Sequence, residues 1–165
     1  MTYNNSSLSN PPISLQMTFA PNSICFGCGP ANNKGLQIQS FANGEIVTCQ
    51  WQPSPHHEAF PTMLNGGIIG SLLDCHCNWT AAWTIKNKLG LNEMPGTVTA
   101  EYSIKLLRPT LSSEKVYLEA KAVELIGDDR VWIEGMLKSK DKTTATCRGL
   151  FVAVKEGHPA YHRWG

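Results

Sequence analysis

The sequence predicts an α+β fold in which a six-stranded antiparallel sheet wraps around one long central helix. The chain has 165 residues, the length of one ordinary domain, and 42% of them are hydrophobic, which is enough for one core. Residues 65–88 have the spacing of a helix that is apolar on nearly every side. Short turns connect the strand-like segments, which favours antiparallel pairing. A curled sheet is the cover that such a helix needs.

Two strands are predicted before the helix, at Leu36–Phe41 and Glu45–Trp51. The turn between them, residues 42–44, contains an Asn-Gly pair, a strong hairpin signal because both residues tolerate positive φ. Residues 1–23 are rich in Ser, Asn and Pro, which is typical of a flexible lead. We therefore expect a single domain at residues 24–165.

The helix has clear start and stop signals. Asn65 is a favoured N-cap residue, and the apolar spacing continues to about Lys88. Lys86 and Lys88 suit the negative C-terminal end of the helix dipole. Asn87 and Gly90 are expected to end the helix.

Four strands follow the helix and are expected to form an antiparallel meander, because the loops between them are short. The first of these strands alternates cleanly, which places Val98 and Ala100 on one face and Thr99 on the other. The four strands are predicted at Thr97–Leu107, Lys115–Ile126, Arg130–Lys140 and Thr143–Lys155.

The charged residues are few and balanced, which excludes several classes of function. Lys and Arg number 14 against 13 Asp and Glu, for a net charge of +1, and only 16% of residues are charged. This charge creates no field that attracts nucleic acid or an anionic membrane, so neither partner is expected. No apolar run is long enough to span a bilayer. The shortage of surface charge instead favours a homo-oligomer, in which another subunit covers part of the surface.

The six cysteines are expected to be structural. The first residues lack the features of a secretory signal, which predicts a reducing, cytoplasmic location. Cys25-x-x-Cys28 is compatible with half of a zinc site or a redox pair. However, Cys75, His76 and Cys77 point about 100° apart around a helix and cannot bind one ion together. We therefore predict neither a metal nor another cofactor.

Asp74 is the one Asp, Glu, Lys or Arg between Glu58 and Lys86, and it falls in the middle of the apolar helix. A carboxylate is costly to desolvate without a partner. Two explanations stay open. Asp74 is either a structural acid bonded to a neighbouring hydroxyl or amide, or a general base or nucleophile whose pKa is raised by its apolar surroundings.

The helix begins with Asn65-Gly66-Gly67, whose backbone N–H groups lie at the positive end of the helix dipole. Such groups polarise a carbonyl and stabilise an oxyanion, although two glycines equally permit close packing against a strand. Gly66 and Asp74 are eight residues apart, about 12 Å along one helix. If both act on one carbonyl, a second, antiparallel copy of the helix must bring Gly66 of one chain to Asp74 of the other.

Three segments form a recognisable set: Cys25–Leu36 with the sequence CFGCGPANNKGL, the loop His57–Pro61 leading into Asn65–Asp74, and Leu107-Arg108-Pro109. Together they resemble the hotdog-fold acyl-CoA thioesterases of the PaaI-like type, in the 4-hydroxybenzoyl-CoA thioesterase superfamily. The resemblance covers residues 25–154. It implies a hotdog fold, a homodimer commonly paired into a homotetramer, and hydrolysis of an acyl-CoA thioester.

The resemblance also implies roles for individual residues. Asp74 matches the family's catalytic acid, which acts as general base on water or as nucleophile. Gly66 matches the glycine whose backbone N–H polarises the thioester carbonyl. Thr99 falls where several members place a hydroxyl that positions the water or the acid.

The remaining predicted substrate-binding residues surround the helix start. Asn65 and Gly67 flank Gly66, and Asn65 stands where the family usually has His. Asn can still cap the helix, but any role special to imidazole is lost. His57 matches a histidine that is frequent in the preceding loop, which makes it a candidate for lining the substrate entrance.

Two alternative functions stay open. One is a non-catalytic acyl-CoA-binding protein, favoured by Asn65 in place of His. The other is an enoyl-CoA hydratase or dehydratase on the same fold, which would use His57 with Asp74. The coenzyme A phosphates require a basic contact, and the sequence does not rank the candidates Lys34, Arg108, Arg130 and Arg148.

Overall fold

The computed structural model describes residues 12–165 and confirms the predicted architecture. A six-stranded antiparallel sheet surrounds the long helix α2, which contacts all six of its strands. A short helix α1 precedes the sheet, and a small hairpin of β3 and β4 precedes α2. The elements are α1 Leu15–Phe19, β1 Ser40–Asn43, β2 Ile46–Trp51, β3 Glu58–Phe60, β4 Met63–Leu64, α2 Gly66–Leu89, β5 Thr97–Leu106, β6 Val116–Ile126, β7 Arg130–Ser139 and β8 Lys142–Ala153.

Helix α2 begins and ends where its capping residues predict. Asn65 has extended backbone angles, and its Oδ1 accepts hydrogen bonds from the N–H groups of Gly67 and Ile68. Gly90 takes the left-handed conformation with φ of 63°, which closes the C-terminus. The Lys86 ammonium donates to the carbonyl of Leu91 at 2.7 Å, as a cation at a helix C-terminus should.

The strand order is β1-β2-β6-β7-β8-β5, so the predicted meander is wrong in one connection. Strands β6, β7 and β8 form a meander, but β5 pairs with β8 at the edge of the sheet and not with β6. The loop 107–115 crosses the end of the sheet to reach β6. A loop of this length permits either pairing, and the choice depends on which strand covers α2.

The first strand is shorter than predicted. The prediction began at Leu36, but β1 begins at Ser40, because Gln37 has φ of 48° and interrupts the extended backbone. Leu36 and Ile38 are nevertheless buried in the core. The hairpin turn is also displaced: Asn43 pairs with Ile46, so the turn lies at residues 44–45.

Part of the predicted flexible lead is packed against the sheet, which differs from the prediction. Gln16 in α1 is fully buried, and both atoms of its amide bond Ser40. Its Nε2 donates to Ser40 Oγ at 3.0 Å, and its Oε1 accepts from the Ser40 N–H at 2.7 Å. Residues 1–11 of the lead lie outside the described residues.

The C-terminal residues fold back toward the start of β5. The Trp164 ring is buried against Trp79 of α2, with 4.4 Å between ring centroids. The Arg163 guanidinium donates to the carbonyl of Thr97 at 2.6 Å. Within residues 12–165, no helix is both long enough and apolar enough to span a membrane.

Candidate active site

Asp74 lies in the middle of α2 and bonds a hydroxyl of the edge strand β5. Thr99 Oγ1 donates a hydrogen bond to Asp74 Oδ1 at 2.7 Å. Within residues 12–165 no hydrogen bond reaches Asp74 Oδ2, and the side chain is partly exposed. Burial raises the pKa of this carboxyl, and the hydrogen bond from Thr99 opposes that shift. One oxygen is therefore held in place while the other is free to accept a proton.

A β-bulge decides that Thr99 faces the helix. Thr99 pairs with the buried Phe151, and Tyr102 pairs with Gly149, but Ala100 between them has no partner. Because a bulge sets two residues against one, the faces exchange at Ala100. The prediction of clean alternation along this strand is therefore wrong at Ala100. Thr99 and Tyr102 share the inner face of the sheet.

The N-terminus of α2 presents one free backbone donor. Asn65 Oδ1 accepts from Gly67 N at 2.7 Å and from Ile68 N at 3.2 Å, which satisfies two of the N–H groups of the first turn. Within the described residues, the N–H of Gly66 has no hydrogen-bond partner. A side chain at Gly66 would also press on Leu106 of β5. Both sequence interpretations of the glycine pair, a free donor and close packing, therefore apply to Gly66.

A groove of about 460 Å³ opens beside Gly66. Its lining is mostly apolar, and it includes one cation, Arg108. Two side chains of this region are unusually exposed for apolar residues, Phe60 at 62% and Leu106 at 58%. Apolar walls with a cation are suited to an acyl chain with an anionic carrier. The other lining residues include Ala59, Met63, Ile69 and Leu107.

Gly66 and Asp74 belong to one continuous helix, so about 12 Å of helix axis separates them. The structure does not bring these two predicted catalytic residues together within one chain. One thioester carbonyl therefore cannot contact both groups of the same molecule. The distance is the one that the sequence spacing implies, so a second chain is needed if both groups act on one carbonyl.

His57 is anchored by the loop that carries it. Its Nδ1 accepts from the N–H of Ser54 at 3.0 Å, and its ring lies 4.8 Å from that of Trp51. The carbonyl of His57 accepts from the N–H of Asn65 at 2.9 Å. His57 thus supports Asn65, the N-cap of α2, which lies nine residues before Asp74.

The side chains of Cys75, His76 and Cys77 point in different directions around α2, as predicted. The partner of Cys75 was not identified from the sequence. His76 bonds Ser40 and Val47, while Cys77 lies against Cys147. Cys75 instead reaches the loop at Cys25, with 3.8 Å between the two Sγ atoms. The isolated Cys-x-x-Cys motif was visible in the sequence, but no local signal identifies a third thiol 50 residues away.

Comparisons with solved structures identify the fold, whereas comparisons of sequence find no match. No protein-family model matches the chain, and no curated protein matches its sequence. Solved structures do match. A thioesterase superfamily protein from Shewanella loihica is 26% identical, with a TM-score of 0.62 over 76% of this chain and 98% of the other.

Two further structures have the same fold at lower identity. The PaaI protein of the phenylacetic acid degradation operon of E. coli is 16% identical, with a TM-score of 0.62 over 76% of this chain and 85% of that one. Thioesterase HI1161 from Haemophilus influenzae is 17% identical, with a TM-score of 0.61 over 74% and 84%. The chain therefore has the hotdog fold of thioesterase-superfamily proteins, which confirms the resemblance predicted from its sequence.

Proposed function

We propose that this protein hydrolyses an acyl-CoA thioester in a site formed by two copies of the chain. One observation carries the proposal: a partly buried carboxylate, Asp74, is held by Thr99 in a helix segment that has no other charged residue before Lys86. The alternative of a purely structural acid is disfavoured, because Asp74 Oδ2 has no partner within residues 12–165. Similarity to thioesterase-superfamily structures supports the same reaction class.

In the proposed reaction, the free N–H of Gly66 in one chain donates to the thioester carbonyl oxygen. Asp74 of the partner subunit removes a proton from water, and the resulting hydroxide attacks the carbonyl carbon. Negative charge develops on the carbonyl oxygen, where the Gly66 N–H and the helix dipole stabilise it. The C–S bond then breaks, and the proton held by Asp74 passes to the departing thiolate. The products are the free acid and coenzyme A.

The edge of the sheet supports assembly of two chains. Strand β5 is the last strand of the sheet, so its outer backbone groups have no neighbouring strand in one chain. Tyr102 and Leu106, on its inner face, are 47% and 58% exposed. A second copy packed along β5 covers these side chains and brings the two α2 helices near each other. We propose a homodimer on this basis.

Among the basic candidates, Arg108 is the one best placed for the coenzyme A phosphates. It lines the groove beside Gly66. Arg130 instead lies 3.5 Å from Asp129, and Arg148 bonds Glu134 at 2.8 Å. We expect Arg108→Ala to raise KM about 10-fold for acyl-CoA, since a charge-assisted contact is lost. KM for the same acyl group on N-acetylcysteamine, which carries no phosphate, should stay unchanged.

Thiol release from aryl, short-chain and long-chain acyl-CoAs tests the proposed reaction. We expect Asp74→Asn to fold normally and to lose at least about 1,000-fold in kcat on any substrate that the wild type cleaves. Wild-type turnover by Asp74→Asn would refute the assignment of Asp74. An acyl-CoA that raises the melting temperature without thiol release would instead indicate a binding protein.

Mixed dimers test whether two chains build each site. Gly66→Pro removes the proposed N–H donor at the first helical position, where proline is tolerated, and the extended backbone of Asn65 suits a following proline. Gly66→Ala is the matched control, because it adds a β-carbon but keeps the N–H. We expect Gly66→Pro to lose about 100-fold or more in kcat, and Gly66→Ala to remain active.

Co-expressed Asp74→Asn and Gly66→Pro chains should then regain activity. Their heterodimer contains one site with both Gly66 and Asp74 intact, although each homodimer has none. A site built within one chain would show no such recovery.

The hydratase alternative, like the proposed thioesterase, needs a second chain to complete its site. His57 is bound to the start of α2 through the N–H of Asn65, so one chain does not bring it to Asp74. Asn65 also caps the helix without using the N–H of Gly66, so polarisation of a carbonyl there does not require an imidazole. Water addition to an enoyl-CoA, measured beside thiol release, separates the two reactions.

A further inference from the structure

Three thiols meet beside α2 at a place that the proposed hydrolysis does not use. Cys25 and Cys28 lie in the loop after α1, and Cys75 lies on α2. Their Sγ atoms all lie within 4.8 Å of one another. Cys28 is buried, while Cys25 and Cys75 are partly exposed. No other group of three or more metal-ligating side chains is found among residues 12–165.

The spacing of one pair of sulfurs matches a metal site and not a disulfide. Two thiolates at about 2.3 Å from a tetrahedral zinc ion lie about 3.8 Å apart. Cys25 Sγ and Cys75 Sγ are 3.8 Å apart. A disulfide requires about 2.05 Å and joins only two of the three sulfurs.

The loop backbone is shaped around these sulfurs. A β-carbon at Gly27 would collide with Cys75 Sγ, and one at Gly29 would collide with the backbone of Cys25. The Gly29 N–H donates to the carbonyl of Cys25 at 2.8 Å, which closes the loop. The two glycines therefore allow the loop to bring Cys25 and Cys28 close to Cys75.

An unpartnered buried donor also lies beside the cluster. Trp79 is fully buried, and its Nε1 has no hydrogen-bond partner among the described residues. The indole lies beside Cys28, but its N–H forms no hydrogen bond with that sulfur. A neutral thiol is a weak acceptor, whereas a metal-bound thiolate is a stronger one. Metal binding at Cys28 would therefore satisfy the indole N–H.

We propose that Cys25, Cys28 and Cys75 bind one zinc ion as thiolates, with the fourth position open to water or a small ligand. Binding releases the three thiol protons to solvent, so the charge balances. Three protein ligands with one open position are an established arrangement for zinc. The half-exposed Cys25 provides the side from which an ion enters. The site goes beyond the proposed function, because no step of the hydrolysis involves these sulfurs.

Cobalt substitution tests the proposal on the full-length, reduced protein. Co²⁺ added under anaerobic conditions should produce the near-ultraviolet charge-transfer band of thiolate-bound cobalt, saturating at one ion per chain. Added Zn²⁺ should abolish that band. We expect Cys25→Ser, Cys28→Ser and Cys75→Ser each to lose most of the band. Cys49→Ala, which removes a buried thiol elsewhere in the sheet, is the matched control and should keep it.

Trp79→Phe keeps an aromatic ring but removes the N–H together with part of the ring, so its free energy of unfolding is measured beside its affinity for cobalt. We expect its affinity for Co²⁺ to fall about 10-fold, as for other groups that support a ligand. If a cysteine variant does not fold, the wild type and Trp79→Phe still decide the question.

Absence of the band in the wild type would overturn the proposal, as would an undiminished band in Cys75→Ser. A Cys25–Cys28 disulfide that forms readily in a protein without cobalt affinity would identify a redox pair instead. Because these readouts need no substrate, they do not depend on whether the protein is a thioesterase.

Discussion

Asp74 and His76 are two polar residues on the same largely apolar helix, two positions apart. They differ in burial and in how many of their polar atoms form hydrogen bonds. His76 is fully buried and both ring nitrogens are bonded, Nδ1 to Ser40 Oγ at 2.9 Å and Nε2 to the carbonyl of Val47 at 3.0 Å. Asp74 is partly exposed and bonded at one oxygen by Thr99. Full satisfaction marks a structural residue, and partial satisfaction marks a group available for chemistry.

The hydrogen bonds of His76 define its protonation. A carbonyl can only accept, so Nε2 carries the proton and Nδ1 accepts from the Ser40 hydroxyl. Ser40 Oγ in turn accepts from Gln16 Nε2. Burial lowers the pKa of His76 to about 4, which keeps the ring neutral. The chain from Gln16 through Ser40 to His76 therefore ties α1, β1, β2 and α2 together.

The largest effect on stability should come from His76→Leu. The change leaves the carbonyl of Val47 and the hydroxyl of Ser40 without their partner in the core, which costs about 2–4 kcal/mol of the free energy of unfolding. Urea unfolding followed by tryptophan fluorescence measures this loss. Thiol release per folded molecule should stay close to wild type. An unchanged unfolding midpoint would contradict the structural role of His76.

Thr99→Val should lower kcat about 10-fold to 100-fold, because it removes the hydrogen bond that orients Asp74 while preserving the shape of the side chain. Thr97→Val is the matched control. Thr97 lies on the same face of β5 but bonds Asn78, so its loss should reduce stability and spare turnover. Equal loss of kcat in both variants would show that Thr99 acts only through packing.

Ser40→Ala should reduce the free energy of unfolding by about 1–2 kcal/mol, less than His76→Leu. The variant removes a donor to His76 and an acceptor for Gln16, but the bond from His76 to the carbonyl of Val47 remains. The same urea titration tests it. A double variant with His76→Leu should be less destabilised than the sum of the two, since both act on one network.

Asp74→Asn should have the smallest effect on stability, within about 0.5 kcal/mol of wild type or slightly stabilising. An amide costs less to desolvate than a carboxylate, and its oxygen still accepts from Thr99. Urea unfolding beside the activity assay measures both properties. A loss of stability as large as that of His76→Leu would show that Asp74 is a structural acid, and would contradict the distinction drawn between Asp74 and His76.

Several features of the site were predictable because their signals are local. Asn65 and Gly90 cap the two ends of the helix, and each cap involves only neighbouring residues. Asp74 was conspicuous as a lone acid in a long apolar segment. The spacing of Gly66 and Asp74 follows from helix geometry alone, and the proposal of a two-chain site depends on that spacing.

Other features depend on contacts that no local pattern encodes. Thr99 turns toward Asp74 because Ala100 forms a bulge against β8, and a bulge interrupts the alternation that sequence reasoning relies on. Cys75 completes the thiol cluster from 50 residues beyond Cys25. Gln16 lies in a segment whose composition is typical of a flexible lead, yet its amide oxygen and nitrogen both bond Ser40 in the core.

The sequence by itself determined the elements: a long apolar helix with capped ends, one acid in its middle, and strands separated by short turns. These follow from backbone preferences and from the spacing of apolar residues, which neighbouring residues control. Only the tertiary structure decided that β5 pairs with β8, that Thr99 meets Asp74, and that three distant thiols converge. The reason is physical: pairing and register depend on which surfaces cover α2, and that is a property of the whole packed chain.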